Sequence, residues 1–306
     1  PWVIPVYENN PFVDEIMVYD NQGRHKFGLG TLRLASDIRQ KGFDLAVLMQ
    51  NAFEAAFLAF MAGIPERLGY NTDFRNLLLN PGIAINPDLK KKHLIDYYVG
   101  ILKGAGLETD GRAMDLFVDQ SDRDKAHDML KEEGLADGRP LIGINPGATG
   151  GTAKRWFPER YAELAARLAD FFNTRVIIFG GPADHGLGEE IREVSGRACS
   201  NMAGKTSLSQ AFALIGRLDL FVTNDSGLMH AAAALDTPQV ALVGSTDHIA
   251  TAPSSRNAVM VRKEVGCNPC LKDECPTDHR CMDQLSVDMV MAACRKILNK
   301  KEGPPV

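Results

Sequence analysis

Val222-Thr223-Asn224-Asp225-Ser226-Gly227-Leu228-Met229-His230 is the stretch on which the reading of this chain turns. An apolar run of strand length, residues 218–222, leads into it, and the Ala-rich segment Met229-His230-Ala231-Ala232-Ala233-Ala234-Leu235 follows. The pattern predicts a buried parallel strand, a turn at Asp225-Ser226-Gly227, and then a helix. A helix N-terminus carries unpaired N–H groups and a partial positive charge. A Gly at that point lets an anion approach the backbone, so the ligand it suits is a phosphate or diphosphate. Strand–turn–helix units occur in every α/β protein, and a plainer reading stands beside this one: Asp225 and Ser226 as helix caps only.

The rest of the chain repeats the alternation. In the first half, residues 13–19 and 43–49 read as strands, residues 32–41 and 52–62 as helices, and Gly63 with Pro65 closes the second helix. Residues 67–70 read as a short strand or turn, Lys90-Lys91-Lys92-His93 as the opening of a helix to about residue 102, and residues 122–133 as a charged surface helix. Ala136-Asp137-Gly138-Arg139-Pro140 reads as an inter-domain linker. Strands follow at 141–145, 175–179 and 240–243, with helices from Phe157-Pro158, over 189–194, from the Ser207-x-x-Gln210 capping box, and over 287–298. Tyr161, Leu164, Leu168 and Phe171 share one face of the helix that starts at Pro158. Strands alternating with helices imply parallel sheets covered on both faces. The fold class is α/β, with two Rossmann-like domains facing a cleft, residues 1–136 and 137–306.

Composition limits the function classes. At 306 residues the chain can build two cores. A net charge of −5 gives no bulk attraction to nucleic acid. The longest apolar stretch, residues 52–64, contains Glu54 and is too short for a spanning helix of about 20 residues. The opening Pro1-Trp2-Val3-Ile4-Pro5 has no basic region and no initiator Met. A cytoplasmic protein is expected, together with an N-terminal domain that lacks its first elements.

In open parallel sheets, ligands bind outside the carboxyl ends of the strands. Four such ends carry chemistry here. After Ile144 comes Asn145-Pro146-Gly147-Ala148-Thr149-Gly150-Gly151-Thr152-Ala153-Lys154-Arg155-Trp156, whose hydroxyls, backbone N–H groups and Lys suit a diphosphate. After Phe179 comes Gly180-Gly181-Pro182-Ala183-Asp184-His185, where Asp184 suits ribose hydroxyls or a helix cap. The other two are the Asp225 turn and Gly244-Ser245-Thr246-Asp247-His248. Together they point to a nucleoside-diphosphate site. There is no Walker A sequence and no G-x-G-x-x-G after a strand, which counts against kinase-like and NAD-dependent readings.

Gly147-Ala148-Thr149 with Lys154-Arg155-Trp156, Phe179-Gly180-Gly181-Pro182 and the Asn224-to-His230 stretch together resemble the ADP-heptose:lipopolysaccharide heptosyltransferases. The first half fits as well, through Asp44-Leu45-Ala46, Gln50-Asn51, Ala62-Gly63-Ile64-Pro65 to Gly69-Tyr70, and Lys92-His93. The Asn-Asp-Ser-Gly-Leu-Met-His form and the Cys-rich tail are most similar to the heptosyltransferase II branch; heptosyltransferase I and a non-catalytic ADP-sugar-binding module remain alternatives. The resemblance implies a GT-B fold, inverting transfer of heptose from an ADP-heptose donor, and no cofactor or catalytic metal. It implies that Thr149, Gly150 and Lys154 hold the diphosphate, with Asp225, Ser226, Gly227 and His230 meeting it from the opposing helix. It places Asp184 at the ribose and Thr206 at the adenine, with Lys154 and Asp225 in catalytic roles. Arg67, Arg75, Lys92 and His93 become candidates for the anionic lipopolysaccharide inner-core acceptor, at the inner face of the inner membrane. The family's first strand, loop and helix, which carry the Asp expected as general base, have no counterpart in residues 1–306.

Six Cys remain. Cys267-x2-Cys270-x4-Cys275-x5-Cys281 is a compact cluster with zinc-like but unpaired spacing, read as a weak metal candidate beside a plain loop of free thiols.

Overall fold

The computed structural model describes residues 3–148 and 150–301. A four-residue helix, Ile4–Tyr7 (α1), opens the described chain. The chain then divides into two compact units, one of them Asp14–Arg112 and the other running from Ala113 onward with residues 5–13.

The first unit holds three parallel strands in the order β1-β2-β3: Leu45–Val47 (β1), Glu66–Tyr70 (β2) and Gly82–Ile83 (β3). Its helices are Leu29–Arg39 (α2), Phe53–Met61 (α3) and Leu94–Gly104 (α4). Small cores form where apolar faces meet: Leu34, Ala35 and Leu58 between α2 and α3, and Leu68, Tyr70 and Ile101 between β2 and α4. Residues 13–19 were expected as a strand and form none; Met17, Val18 and Tyr19 are exposed. No ladder forms there, so their β-propensity has nothing to act on. The helix expected from Lys90 starts four residues later. Pro87–Lys91 is a 3₁₀ turn, and His93 caps α4 with its Nδ1 accepting from the Ile95 N–H at 3.1 Å.

Two cations expected to meet an acceptor belong to the frame of this unit instead. Arg75 is completely buried. Its Nε donates to the Tyr70 carbonyl at 3.0 Å, one terminal nitrogen to the Gln50 carbonyl, and the other to Asn51 Oδ1 at 3.0 Å. Arg67 donates to the carbonyls of Leu78 (2.6 Å), Ile64 and Pro65. The buried Arg75 guanidinium is tolerated only because its donors are satisfied, by the Tyr70 carbonyl at the end of β2, the Gln50 carbonyl after β1 and the Asn51 side chain.

The second unit is a six-stranded, all-parallel sheet. Its strands are Leu141–Asn145 (β4), Arg175–Ile178 (β5), Cys199–Asn201 (β6), Leu220–Asn224 (β7), Gln239–Val243 (β8) and Ala258–Arg262 (β9), in the order β6-β5-β4-β7-β8-β9. Its helices are Gln120–Glu132 (α5), Pro158–Phe172 (α6), His185–Val194 (α7), Leu208–Ile215 (α8), Gly227–Ala234 (α9), Arg280–Asp283 (α10) and Val287–Lys301 (α11). Every residue of β4, β7 and β8 is buried, as expected for strands covered on both faces. Alternate residues divide between two cores. Ile142, Ile144, Val222 and Leu242 pack with Tyr161, Leu164 and Leu168 of α6 and with Val290 and Cys294 of α11. Leu141, Ile177 and Phe221 pack with Ala126 and Leu130 of α5 and Leu214 of α8. Ser207 and Gln210 form the expected capping box at α8.

Two boundaries differ from expectation. Residues 113–136 belong to the second unit, because Ala126, Leu130 and Leu135 are buried in its core. The segment expected as a linker is pinned there as well: Asp137 accepts from Arg175 at the start of β5 at 2.7 Å and from Arg139 at 2.6 Å. Phe171, expected on the buried face of α6, is exposed and lies under the Arg295 guanidinium, 4.2 Å from the ring centre.

Replacing Arg75 by Met should destabilise the first unit by about 3 kcal/mol or more, because the buried Tyr70 carbonyl and the partly buried Gln50 carbonyl and Asn51 amide oxygen lose a charged donor. Urea unfolding measures this; a midpoint unchanged from the parent would mean that those carbonyls find other partners.

Candidate functional site

The strand order of the second unit reverses between β4 and β7, and ligands in open α/β sheets sit at the carboxyl ends of strands at such a switch point. β4 ends on Asn145 and β7 on Asn224, with Asn145 paired to Thr223 in the ladder. Both asparagines are buried, so their amides need partners, and each finds them across the switch point. Asn224 Nδ2 donates to the Pro146 carbonyl at 2.8 Å. Its Oδ1 accepts from the Tyr161 hydroxyl at 3.0 Å and the Trp156 N–H at 3.2 Å. Asn145 Nδ2 donates to Ser226 Oγ at 2.9 Å and Thr223 Oγ1 at 3.1 Å. Burial raises the Tyr161 pKa well above its usual value, so this hydroxyl stays a neutral donor.

These bonds tie the loop after β4 to the turn before α9. That loop passes through Gly150 and Gly151 with φ of 96° and 100°. A Cβ on Gly151 would lie 1.9 Å from the Asp273 carbonyl, so only Gly fits. Lys154 ends the 3₁₀ turn Thr152–Lys154. It is half-buried and has no ion-pair or hydrogen-bond partner among the described residues. Trp156 anchors the far end: its ring packs edge-on against Tyr161, and its indole N–H donates to the Leu285 carbonyl at 2.9 Å.

At the β7 end, Ser226 holds the N-cap position of α9, yet no side chain caps the helix among the described residues. Its hydroxyl is engaged by Asn145 instead. A Cβ added to Gly227 would meet nothing within 4 Å among the described residues. Asp225 is buried, and its Oδ2 accepts from the Thr251 hydroxyl at 3.0 Å. The reading of Asp225 and Ser226 as mere caps therefore fails, since neither side chain bonds the first turn of α9. His230 is half-buried one turn in.

Asp184 follows β5. Its Oδ2 accepts from the Gly181 N–H at 3.0 Å, and its carboxylate lies 3.7 Å from Arg155 and so close to Gly147 that a Cβ there would be 2.7 Å away. Asp184 thus caps its own 3₁₀ turn, makes no cap bond to α7, and borders the loop after β4. Thr206 is half-buried in the loop after β6. Thr149 lies outside the described residues. In the first unit, Lys92 is exposed beside buried His93.

Sequence reasoning missed several contributors. Thr251 orients Asp225, and nothing in its local sequence marks it. The Cys-rich segment braces the loop after β4: the Ala153 N–H donates to the Asp273 carbonyl at 2.9 Å, and His279 Nε2 lies 3.0 Å from the Ala153 carbonyl. The Leu271 N–H reaches back to the Ser245 carbonyl at 2.9 Å. Among the described residues no group of three His, Cys, Asp or Glu side chains is disposed to hold a metal, Cys267, Cys270, Cys275 and Cys281 included.

Fold and strand ends place the chain among α/β proteins built to carry a ligand at a topological switch point. Comparison gives the family: the chain belongs to glycosyltransferase family 9, the heptosyltransferases, whose sequence model matches residues 31–280. It is 32% identical to lipopolysaccharide heptosyltransferase 2 of Salmonella typhimurium over 98% of this chain and 88% of the relative. It is 36% identical to lipooligosaccharide heptosyltransferase 2 of Haemophilus influenzae over 78% and 71%. Its fold superposes on the structure of Escherichia coli ADP-heptose lps heptosyltransferase II with a TM-score of 0.80 at 30% identity, covering 99% of this chain and 88% of the other. No helix among the described residues is long and apolar enough to cross a membrane.

Cys275 of the brace and Cys294 of α11 sit in different environments. The Thr277 hydroxyl lowers the pKa of half-buried Cys275, whereas burial pushes Cys294 up to about 12. As pH rises, Cys275 therefore reaches the reactive thiolate first. Alkylation of the native protein between pH 7 and 9, mapped by mass spectrometry, should label Cys275 and spare Cys294. Equal labelling of the two would contradict this order.

Proposed function

We propose that this protein moves a heptose from ADP-L-glycero-D-manno-heptose to the inner-core heptose of lipopolysaccharide, with inversion at the anomeric carbon and without a catalytic metal. The observation that carries the proposal is Lys154: a half-buried cation with no protein partner among the described residues, on the Gly-rich loop tied across the switch point to the uncapped start of α9. The two relatives and the solved structure, all heptosyltransferases II at 30% identity or more, support the same reading.

In this reaction an acceptor hydroxyl attacks the anomeric carbon and releases its proton to water, the bond from that carbon to the β-phosphate oxygen breaks, and ADP leaves with the electron pair. Negative charge gathers on the diphosphate as the bond lengthens. Preorganised donors at that point lower the barrier. Lys154, Thr149 and the Gly150 backbone supply them from one side; Ser226, Gly227 and His230 at the start of α9 supply them from the other. Asp184 takes the ribose hydroxyls and Thr206 borders the adenine. A carboxylate beside a diphosphate would repel it, so Asp225, oriented by Thr251, serves a heptose hydroxyl. Lys92 and His93 are assigned to the anionic acceptor. That acceptor is a glycolipid, so the protein works in peripheral contact with the inner face of the inner membrane.

Lys154→Ala should weaken ADP binding by about 1.5–3 kcal/mol, the range for a charged hydrogen bond. Calorimetry that finds the affinity unchanged would remove the diphosphate site. For Asp225→Ala the circular-dichroism melt should match the parent while turnover of ADP-heptose falls; full activity would count against the sugar contact. Mass spectrometry of products from a heptosylated and an unheptosylated Kdo-lipid tests the acceptor, and heptose gained only by the unheptosylated lipid would overturn the assignment.

A further inference from the structure

Ser226 stands where a serine ordinarily accepts a hydrogen bond from the N2 or N3 amide of its helix. Here it makes no such bond. The reason lies one strand away. Asn145 Nδ2 donates to Ser226 Oγ at 2.9 Å, and Thr223 Oγ1 lies 3.3 Å from the same oxygen. Thr223 uses its one proton on the Asn224 carbonyl at 2.8 Å, so toward Ser226 and Asn145 it can only accept. The Ser226 oxygen thus receives the amide, and its proton faces Thr223 across a long contact that a better acceptor can replace. Asn145 is itself fixed: it is buried, and its backbone carbonyl lies 3.2 Å from the Tyr161 hydroxyl.

We infer that Asn145 is a positioning residue: by drawing the Ser226 hydroxyl toward itself, it keeps that hydroxyl from capping α9, leaves the first-turn amides open to an anion, and turns the serine into a donor toward it. The inference rests on the reading of α9 as part of the diphosphate site and deepens it. A capped helix has less to gain from a phosphate, because one of its unpaired amides is already satisfied. Asn145 touches no ligand in this account; it acts through Ser226.

Two ligands and four variants test this. Adenosine carries no phosphate, so a loss confined to ADP separates diphosphate binding from general damage. Asn145→Ala should weaken ADP about tenfold or more, the scale of one net hydrogen bond, and leave adenosine unchanged. Ser226→Ala should do the same. The double variant should lose no more than the larger single loss, because both changes remove one device. Parent-like ADP affinity in Asn145→Ala, additive losses in the double variant, or equal losses of ADP and adenosine would each overturn the inference. Should Asn145→Ala fail to fold, Ser226→Ala with Ser226→Thr decides it: threonine keeps the hydroxyl and should restore ADP affinity, and failure to restore it counts against the device. Lys154→Ala is measured alongside. If it weakens ADP while Asn145→Ala and Ser226→Ala do not, the inference alone falls. If it too leaves ADP unchanged, the diphosphate reading falls and takes the inference with it.

Discussion

Two side-chain amides at the ends of neighbouring parallel strands hold the ligand face of the second unit together. Asn145 and Asn224 are buried, and a buried amide without partners would cost on the order of 1–3 kcal/mol. Their partners lie on the opposite strand or on the loop it faces, so satisfying the amides forces the two loops into one arrangement. In a low-dielectric interior such bonds strengthen one another. Gly150 and Gly151 give the loop after β4 no side chains of their own to pack, so the two asparagine amides and the contacts of Ala153 with Asp273 and His279 shape it. Trp156 and Tyr161 complete the frame by tying the loop's far end to α6 and to the segment before α11.

The architecture of the second unit was legible because its strands are buried on both faces. Continuous apolar runs bounded by Gly and polar residues leave few alternatives for β4, β5, β7 and β8. The strand-end rule alone singled out the Asp225 turn and the β4 loop, and both lie where the strand order reverses. The first unit was harder to read. Residues 13–19 carry β-formers but gain no ladder, and the cations Arg67 and Arg75 resemble surface ligands until their carbonyl partners are seen. Charge in a sequence does not reveal burial. β6 and β9 were not anticipated; Cys199–Asn201 is too short for periodicity to show.

The roles of Thr251, Asp273 and His279 lay beyond the sequence for another reason. Each acts on a residue more than twenty positions away, through geometry that the fold creates. The Cys-rich stretch drew attention for its thiols, yet what it contributes in the structure is a backbone carbonyl and an imidazole against Ala153. Spacing of reactive residues is visible in a sequence; a main-chain contact made by the residues between them is not.

The approach of the Asp273 carbonyl to Gly151 couples two segments that are distant in the chain. The loop cannot lift without breaking the bond from Ala153, and residues 271–279 cannot peel away without freeing the loop. The two form a single cooperative opening unit. A ligand seated on the loop stabilises the closed form of both by mass action. Whatever orders one of the two segments therefore orders the other, although they are distant in the chain.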